Sequence, residues 1–167
     1  MAELTTLERL QPSLLDRLVD DEPSRTEESR EKRVISATRL RECVTRDMAW
    51  LLNCVNLAAV EDLDDYPEVA RSVLNFGIPD LTGTVLAGVD ASVLQRQIRE
   101  AILAYEPRLT AGTLRVTVNV DPSRMDRQSL AFNIESEMWA QPIPLNLYLK
   151  TEVDLETGKF NVSESFG

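Results

Sequence analysis

The chain has 167 residues, a length that suits one domain and is sufficient to bury a hydrophobic core. Its 28 Asp and Glu residues outnumber 18 Lys and Arg residues, and the net charge of −10 argues against partners such as nucleic acid or an anionic membrane surface. Histidine is absent, which excludes Ser-His-Asp and Cys-His nucleophile systems, HExxH zinc sites and imidazole proton shuttles.

The N-terminal sequence has no feature of a secreted or membrane-spanning protein. No stretch approaches the ~20 apolar residues that cross a bilayer. Residues 1–21 are amphipathic and acidic, without the charged-then-apolar pattern of a signal peptide. We therefore expect a cytoplasmic protein that does not insert into a membrane.

The two cysteines fit that compartment. Cys43 and Cys54 are eleven residues apart, so on one continuous helix they share a face at a distance of roughly 16 Å. This distance is too long for a disulfide, and the spacing of a CxxC metal site is missing. We expect two helix-packing thiols, no metal and no cofactor.

Residues 1–33 are predicted to form an N-terminal helical arm followed by a flexible, charged linker. Pro12 suits the first turn of a short helix. The apolar face of that helix consists of Leu14, Leu15 and Leu18. Residues 20–33 carry mixed charges around Pro23 and no apolar side chain that could join a core. The helix either binds a groove on a partner, as in a free-standing adaptor, or folds back on its own domain, and the sequence leaves both open.

Two longer amphipathic helices follow. The first is capped by Ser36 and is predicted to end near residues 53–56. The second is capped by Asp90 and must stop around Tyr105, because the residue before Pro107 disfavours the helical conformation. The apolar positions recur at helical spacing: Leu40, Cys43, Val44, Met48, Leu51, Leu52 and Val55 in the first helix, and Val93, Leu94, Ile98, Ile102 and Leu103 in the second.

The segment between these helices is predicted to be mostly loop. Residues 61–68 carry five acids and no base. Pro67 is predicted to begin a short helix that continues through Leu74 and that Gly77 closes in the left-handed conformation.

The pattern then changes from helical to alternating. Three segments alternate apolar and polar residues, and a last run over residues 159–163 is predicted to pair back as a hairpin. The alternating apolar residues are Leu114, Val116, Val118 and Val120, then Leu130, Phe132 and Ile134, then Leu145, Leu147 and Leu149. Helices first and strands second predict an α+β domain over residues 34–167. Its N-terminal helices should pack on one face of a mostly antiparallel C-terminal sheet that ends in the hairpin.

Four blocks of sequence carry a resemblance to a known family. They are PSLLDRL with DDEP (residues 12–18 and 20–23), RECVTRDMAWLLN (41–53), SVLNFGIPDLTG (72–83) and EPRL (106–109). In this order they resemble the TssE family of type VI secretion baseplate subunits. That family is similar to the wedge and sheath-initiator proteins of phage baseplates, some of which are labelled lysozyme-like. The resemblance extends over nearly the whole chain.

The resemblance implies a structural, non-enzymatic role in a contractile injection system. Members of the family sit in a six-fold cytoplasmic baseplate and contact the wedge subunits TssF, TssG and TssK. They also provide the surface from which the sheath of TssB and TssC polymerises. These subunits are therefore the partners that the resemblance implies for this chain.

A strand edge would offer a physical route for sheath growth. The terminal hairpin, residues 145–163, leaves backbone N–H and C=O groups that can pair with an incoming strand. Its charged residues, which would discourage indiscriminate pairing, are Lys150, Glu152 and Lys159. By themselves these residues fit an ordinary solvent-facing strand, and it is the resemblance that favours a sheath-facing edge.

Glu106, Pro107 and Arg108 lie where the chain turns from helix to strand, and three roles are open for them. A carboxylate-dependent muramidase would use Glu106 as its acid, but a guanidinium two residues away favours the ionised carboxylate, which is wrong for a proton donor. The acids Asp121 and Asp126 resemble ordinary turn residues. A local ion pair would stabilise the corner by about 0–1 kcal/mol if exposed. The third role, a charged contact with wedge subunits, is the one that the resemblance favours.

Overall fold

The computed structural model describes residues 13–18, 23–24, 36–83, 90–119, 129–139 and 144–165. Helices precede strands, which confirms the predicted α+β class. The helices are α1 (Leu14–Leu18), α2 (Ala37–Leu52), α3 (Pro67–Ala70) and α4 (Ala91–Tyr105). The strands are β1 (Arg115–Asn119), β2 (Ser129–Met138), β3 (Leu145–Asp154) and β4 (Phe160–Glu164).

The two long helices begin at the predicted caps. The Ser36 side chain accepts a hydrogen bond from the Arg39 N–H at 3.1 Å, and the Asp90 carboxylate accepts from the Ser92 N–H at 2.9 Å. Each cap satisfies an N–H group that has no partner within its helix. α4 ends at Tyr105, directly before the Glu106-Pro107 step.

All four strands pair antiparallel in the order β1-β2-β3-β4. The register aligns Val116 with Ile134, and Ile134 with Leu149, so the apolar residues of neighbouring strands lie on the same face. α2 packs against β3 and β4 and α4 packs against β1, which buries that face. The predicted arrangement of helices on one face of the sheet is therefore confirmed.

The segment after α3 differs from the prediction. α3 ends at Ala70, and residues 73–75 form a separate 3-10 turn rather than a continuation of the helix. Ser72 separates the two, because its backbone is extended and its hydroxyl accepts a hydrogen bond from the Leu74 N–H at 3.2 Å. Val73 and Leu74 are 79% and 69% exposed, so their apolar character does not mark a buried helix face.

Gly77 has a different role from the predicted helix closure. Its φ is +128°, and a Cβ atom at this position would lie 2.4 Å from the backbone oxygen of Cys54. Glycine is thus required by the close approach of two backbone segments. Cys54 lies beyond the end of α2 and is exposed, whereas Cys43 is buried, so the expectation of two helix-packing thiols holds only for Cys43.

The order of the strands shows that two residues of the predicted sheath-facing edge, Lys150 and Glu152, do not lie on an edge strand. Lys150 and Glu152 lie on β3, which pairs with β2 on one side and β4 on the other. Their side chains are exposed on the open face of the sheet, but their backbone is not at an edge. β4 is the edge strand of the hairpin, and Lys159 directly precedes it.

Several predictions fall on residues outside the described ranges. These include the linker boundary at residues 33–34 and the turn acids Asp121 and Asp126. Among the described residues, none of the helices combines the length and apolar character needed to cross a membrane. The same residues contain no cluster of cysteine and carboxylate side chains that could hold a metal ion.

Candidate functional site: the corner after helix α4

The corner formed by Glu106, Pro107 and Arg108 is fixed on two sides. On the helix side, the Glu106 N–H donates to the Ile102 carbonyl at 2.8 Å, the last hydrogen bond of α4. On the sheet side, the Arg108 carbonyl accepts from the Trp139 N–H at 2.7 Å, just beyond the end of β2. The corner is therefore held by backbone hydrogen bonds to both layers of the domain.

Glu106 and Arg108 form a buried, forked ion pair. The Glu106 side chain is 4% exposed and that of Arg108 is 22% exposed. Arg108 Nε donates to Glu106 Oε1 at 2.7 Å and Nη2 donates to Oε2 at 2.5 Å, while the Arg108 backbone N–H also donates to Oε1. Both carboxylate oxygens are thus engaged by one cation in the bidentate geometry that arginine favours.

The same guanidinium reaches a second carboxylate on α2. Arg108 Nη2 donates to Asp47 Oδ2 at 2.6 Å. Burial works against the charge of Arg108, but Glu106 and Asp47 outweigh it and raise the pKa of the guanidinium above its ordinary value. Arg108 is therefore a permanent cation between two carboxylates.

Arg46 extends these contacts to α1. Its Nε and Nη2 donate to Asp47 Oδ1 at 2.9 and 2.7 Å, and its Nη1 donates to Asp16 Oδ1 at 2.7 Å. Five side chains of alternating charge are thereby connected, and we call them the charge network. Its members are Asp16, Arg46, Asp47, Arg108 and Glu106.

An aromatic side chain and a cavity lie beside the network. The Arg46 guanidinium stands 4.9 Å from the centroid of the Trp50 ring, and Trp50 is 50% exposed. A cavity of about 500 Å³ lies between α1, α2 and the corner. Its lining includes Leu15, Met48, Trp50, Phe76, Pro107 and Arg108. The corner therefore combines fixed charge with an accessible apolar surface.

The predicted roles of the corner can be compared with this geometry. The local ion pair between Glu106 and Arg108 exists, but it is buried, so the value expected for an exposed pair does not apply. For a glycosidase, two carboxyl groups must face each other across a substrate bond. Here the nearest described acid, Asp47, shares the Arg108 guanidinium with Glu106, and both side chains are bound to cations.

Asp16, Arg46 and Asp47 belong to the site, although no sequence motif marks them as its members. Only a weak pattern in the sequence points to Asp47. It lies on α2, four residues after the buried Cys43 and three before Trp50, so its charge stands at the margin of the apolar face of the helix. Nothing in that spacing identifies Arg108 as the partner.

The leucines of the arm lie outside the buried core. Leu14 and Leu18 are 74% and 73% exposed, and Leu15 is 43% exposed. α1 instead contacts α2 through its polar side, where Asp16 meets Arg46. The described part of the arm therefore lies against its own domain with its apolar face outward, and binding of that face to a groove on a partner stays a prediction.

The β4 edge is a second candidate surface. In an antiparallel pair, alternate residues of a strand bond to the partner strand and the others point their backbone groups away from it. Because the Ser165 N–H bonds to the Tyr148 carbonyl, the backbone groups of Phe160, Val162 and Glu164 point away from β3. At Phe160 both groups are taken by Asn53, whose amide donates to the Phe160 carbonyl and accepts from its N–H, each at 3.0 Å. The part of the edge open to another strand is therefore centred on Val162 and Glu164.

Comparison with known proteins gives one family. The family described as baseplate wedge protein gp25 matches residues 38–143 of this chain. No curated protein sequence gives a significant match. A solved structure from Geobacter sulfurreducens, labelled as a tail lysozyme, matches 70% of this chain and 92% of its own, with 18% sequence identity and a TM-score of 0.44.

Proposed function

Because this chain belongs to the baseplate wedge protein gp25 family, we propose that it is a structural wedge subunit of a cytoplasmic type VI secretion baseplate. In this role it binds the other wedge subunits, TssF, TssG and TssK, within a six-fold assembly. It also provides the platform on which the TssB–TssC sheath polymerises. The observation that carries the proposal is the family match, which extends from α2 to beyond the end of β2 and includes the corner.

The corner is the proposed contact with wedge subunits. Glu106, Pro107 and Arg108 are held rigidly, so little conformational entropy is lost when a partner binds there. Trp50 is half exposed beside them, and tryptophan and arginine are enriched among the residues that dominate binding energy. These features support a docking surface in which Glu106 and Arg108 both stabilise the corner and shape the contact.

The β4 edge is the proposed platform for the sheath. Among the described residues, no group pairs with the outward backbone of Val162 and Glu164, and an incoming strand would extend the sheet there. Lys159 lies at the start of this edge, and the exposed Lys150 and Glu152 lie on the neighbouring strand, where they can set the charge that an incoming chain meets.

A non-enzymatic role agrees with the hydrogen bonds that Glu106 forms with Arg108. Both of its oxygens accept hydrogen bonds from Arg108 and the side chain is 4% exposed, so the carboxyl group is not presented to a substrate. Clearing of a purified cell-wall suspension is the direct check. We expect no clearing by the wild-type protein or by Glu106→Gln, and clearing that depends on Glu106 would contradict the structural role.

Residues 1–33 are proposed to act as an arm attached to a wedge domain over residues 34–167. Deletion of the arm should leave the thermal unfolding of the domain nearly unchanged, because its leucines contribute little buried surface. The same deletion should weaken baseplate assembly. A large loss of domain stability would instead show that the arm belongs to the core.

The proposed wedge contact is tested by co-purification with TssF and TssG. Trp50→Ser removes an exposed aromatic side chain beside the corner, and Arg108→Lys keeps the charge but loses the planar fork. Both should weaken capture while circular dichroism shows a folded chain. Tyr66→Ser is the matched control, since Tyr66 is 61% exposed on the acidic segment and does not line the cavity beside the corner. Capture by both corner variants at the wild-type level would contradict the proposal.

A further inference from the structure

α1 is attached to α2, beside the corner, by one carboxylate. The Asp16 side chain is 8% exposed and accepts from Arg46 Nη1 at 2.7 Å. The Ser13 hydroxyl donates to the other oxygen, Asp16 Oδ2, at 2.6 Å. Both oxygens of Asp16 are therefore satisfied, and the anchor of this short helix is ionic and specific.

Apolar packing contributes little to the same attachment. Leu14 and Leu18 point outward, and Leu15 lies at the cavity but remains 43% exposed. About 500 Å³ of space is left between α1 and the residues beneath it. A helix this short is also marginal by itself, since helices below about 12–15 residues need tertiary contacts to persist. The ion pair between Asp16 and Arg46 thus holds α1 over a cavity that its side chains do not fill.

The corner also retains an unused donor. Arg108 Nη1 is buried and has no acceptor among the described residues. A buried N–H group without a partner is unfavourable, so an acceptor that reaches it gains affinity. The corner beside α1 therefore combines unfilled apolar space with an unsatisfied N–H donor, and a better-fitting ligand could use both.

We propose that α1 is an intramolecular ligand that covers the corner in the free subunit and leaves it when a partner segment binds. The incoming segment has an acidic side chain that pairs with the arginines and a bulky apolar side chain that fills the cavity. The binding of α1 (Leu14–Leu18) over the corner is called the cover. The identity of the partner rests on the proposed function, whereas the cover does not.

Cys43 provides a reporter of the cover. It is buried on α2, one turn before Arg46 and Asp47, and the Asp16 carboxylate of α1 lies near its thiol. Burial, together with the nearby Asp16 charge, raises the pKa of the Cys43 thiol. Departure of α1 would uncover this thiol and make it accessible to reagents.

The cover is tested by thiol labelling of the full-length chain in a Cys54→Ser background, which leaves Cys43 as the sole cysteine. Asp16→Asn is compared with Asp62→Asn, a control at an exposed acid on the segment between α2 and α3. The maleimide reaction rate is followed across pH, because its plateau at high pH reports access separately from the thiol pKa. We expect Asp16→Asn to raise the plateau rate about tenfold, as for the loss of one charge-assisted hydrogen bond. Equal plateau rates in all three proteins would overturn the cover.

Displacement is tested by the affinity of the same proteins for the TssF–TssG pair. Asp16→Asn should bind more tightly than wild type, because its internal competitor is weakened. If Asp16→Asn is labelled faster but binds TssF–TssG no more tightly than wild type, the proposal that the partner displaces α1 is overturned. If no variant binds TssF–TssG while labelling still differs, the proposed partner is wrong and the cover stands.

Discussion

Asp47 and Arg108 are 61 residues apart in sequence and are joined by a hydrogen bond of 2.6 Å between Asp47 Oδ2 and Arg108 Nη2. The contact connects the middle of α2 to the turn that follows α4. Since Arg108 also holds Glu106, one guanidinium links the middle of α2 to the residue that ends α4. The surface proposed to meet other wedge subunits is therefore continuous with the core.

Arg108→Met should destabilise the domain strongly. The substitution preserves much of the side-chain volume but leaves the Glu106 carboxylate buried without its cation. Removal of one member of a buried ion pair typically costs about 3–5 kcal/mol. We expect a loss of at least about 3 kcal/mol in the free energy of unfolding, measured by urea denaturation at neutral pH.

Arg41→Met is the matched control for that prediction. Arg41 pairs with Glu164 at 3.5 Å, and the Glu164 side chain remains 24% exposed, so water can solvate it after the substitution. The expected loss is about 1 kcal/mol or less. Equal losses for the two variants would show that burial of Glu106 does not govern the stability of the corner.

The elements of this fold could be predicted largely because their signals are local. Ser36 and Asp90 cap α2 and α4 through hydrogen bonds within three residues, and proline after α4 limits the helix. The strands alternate as expected. The helix predicted to continue from Pro67 through Leu74 failed because its apolar residues are exposed, which periodicity cannot detect.

The site could be predicted only where its members are neighbours in sequence. Glu106 and Arg108 are two residues apart, so their pairing was foreseeable. The contact with Asp47 depends on how α2 packs beside the corner, and the interior position of Lys150 depends on strand order. Both are properties of the tertiary structure, which no local pattern in one sequence encodes.

Gly77→Ala should be among the most damaging small substitutions in the chain. Alanine would have to adopt φ +128° with its Cβ 2.4 Å from the Cys54 backbone oxygen. Because backbone cannot move aside as a flexible side chain can, we expect a loss of at least about 3 kcal/mol in thermal or urea unfolding. Gly112→Ala should be nearly neutral, since no atom lies within 4 Å of its added Cβ. A neutral Gly77→Ala would disprove the close approach.

The docking of α1 should depend on acid pH through Asp16. Burial acts to raise the pKa of Asp16, but hydrogen bonds from Ser13 and Arg46 outweigh it and lower the pKa below its ordinary value of 3.8. The contribution of the ionised carboxylate is therefore complete above that value and is lost as pH falls through the lowered pKa. Trp50 fluorescence in a Trp139→Phe background should show a transition below about pH 4 that Asp16→Asn lacks. The same transition in both proteins would refute the assignment.

Val162→Pro should block sheath growth without unfolding the domain. The Val162 N–H points away from β3, so proline removes a donor of the free edge and not a bond of the sheet. We expect baseplates with this variant to assemble but to seed few TssB–TssC sheaths in electron micrographs. Val162→Thr, which keeps the N–H and a similar shape, should seed sheaths normally. Normal seeding by Val162→Pro would move the sheath contact away from β4.

The most direct test of the account is site-specific photocrosslinking in cells that assemble the complete machine. A photoreactive phenylalanine analogue at position 50 lies beside the corner, and the same analogue at position 66 lies on the acidic segment. If the corner is the wedge contact, the probe at position 50 crosslinks to TssF or TssG and the probe at position 66 does not. Crosslinks to these subunits from position 66 alone would contradict the central claim.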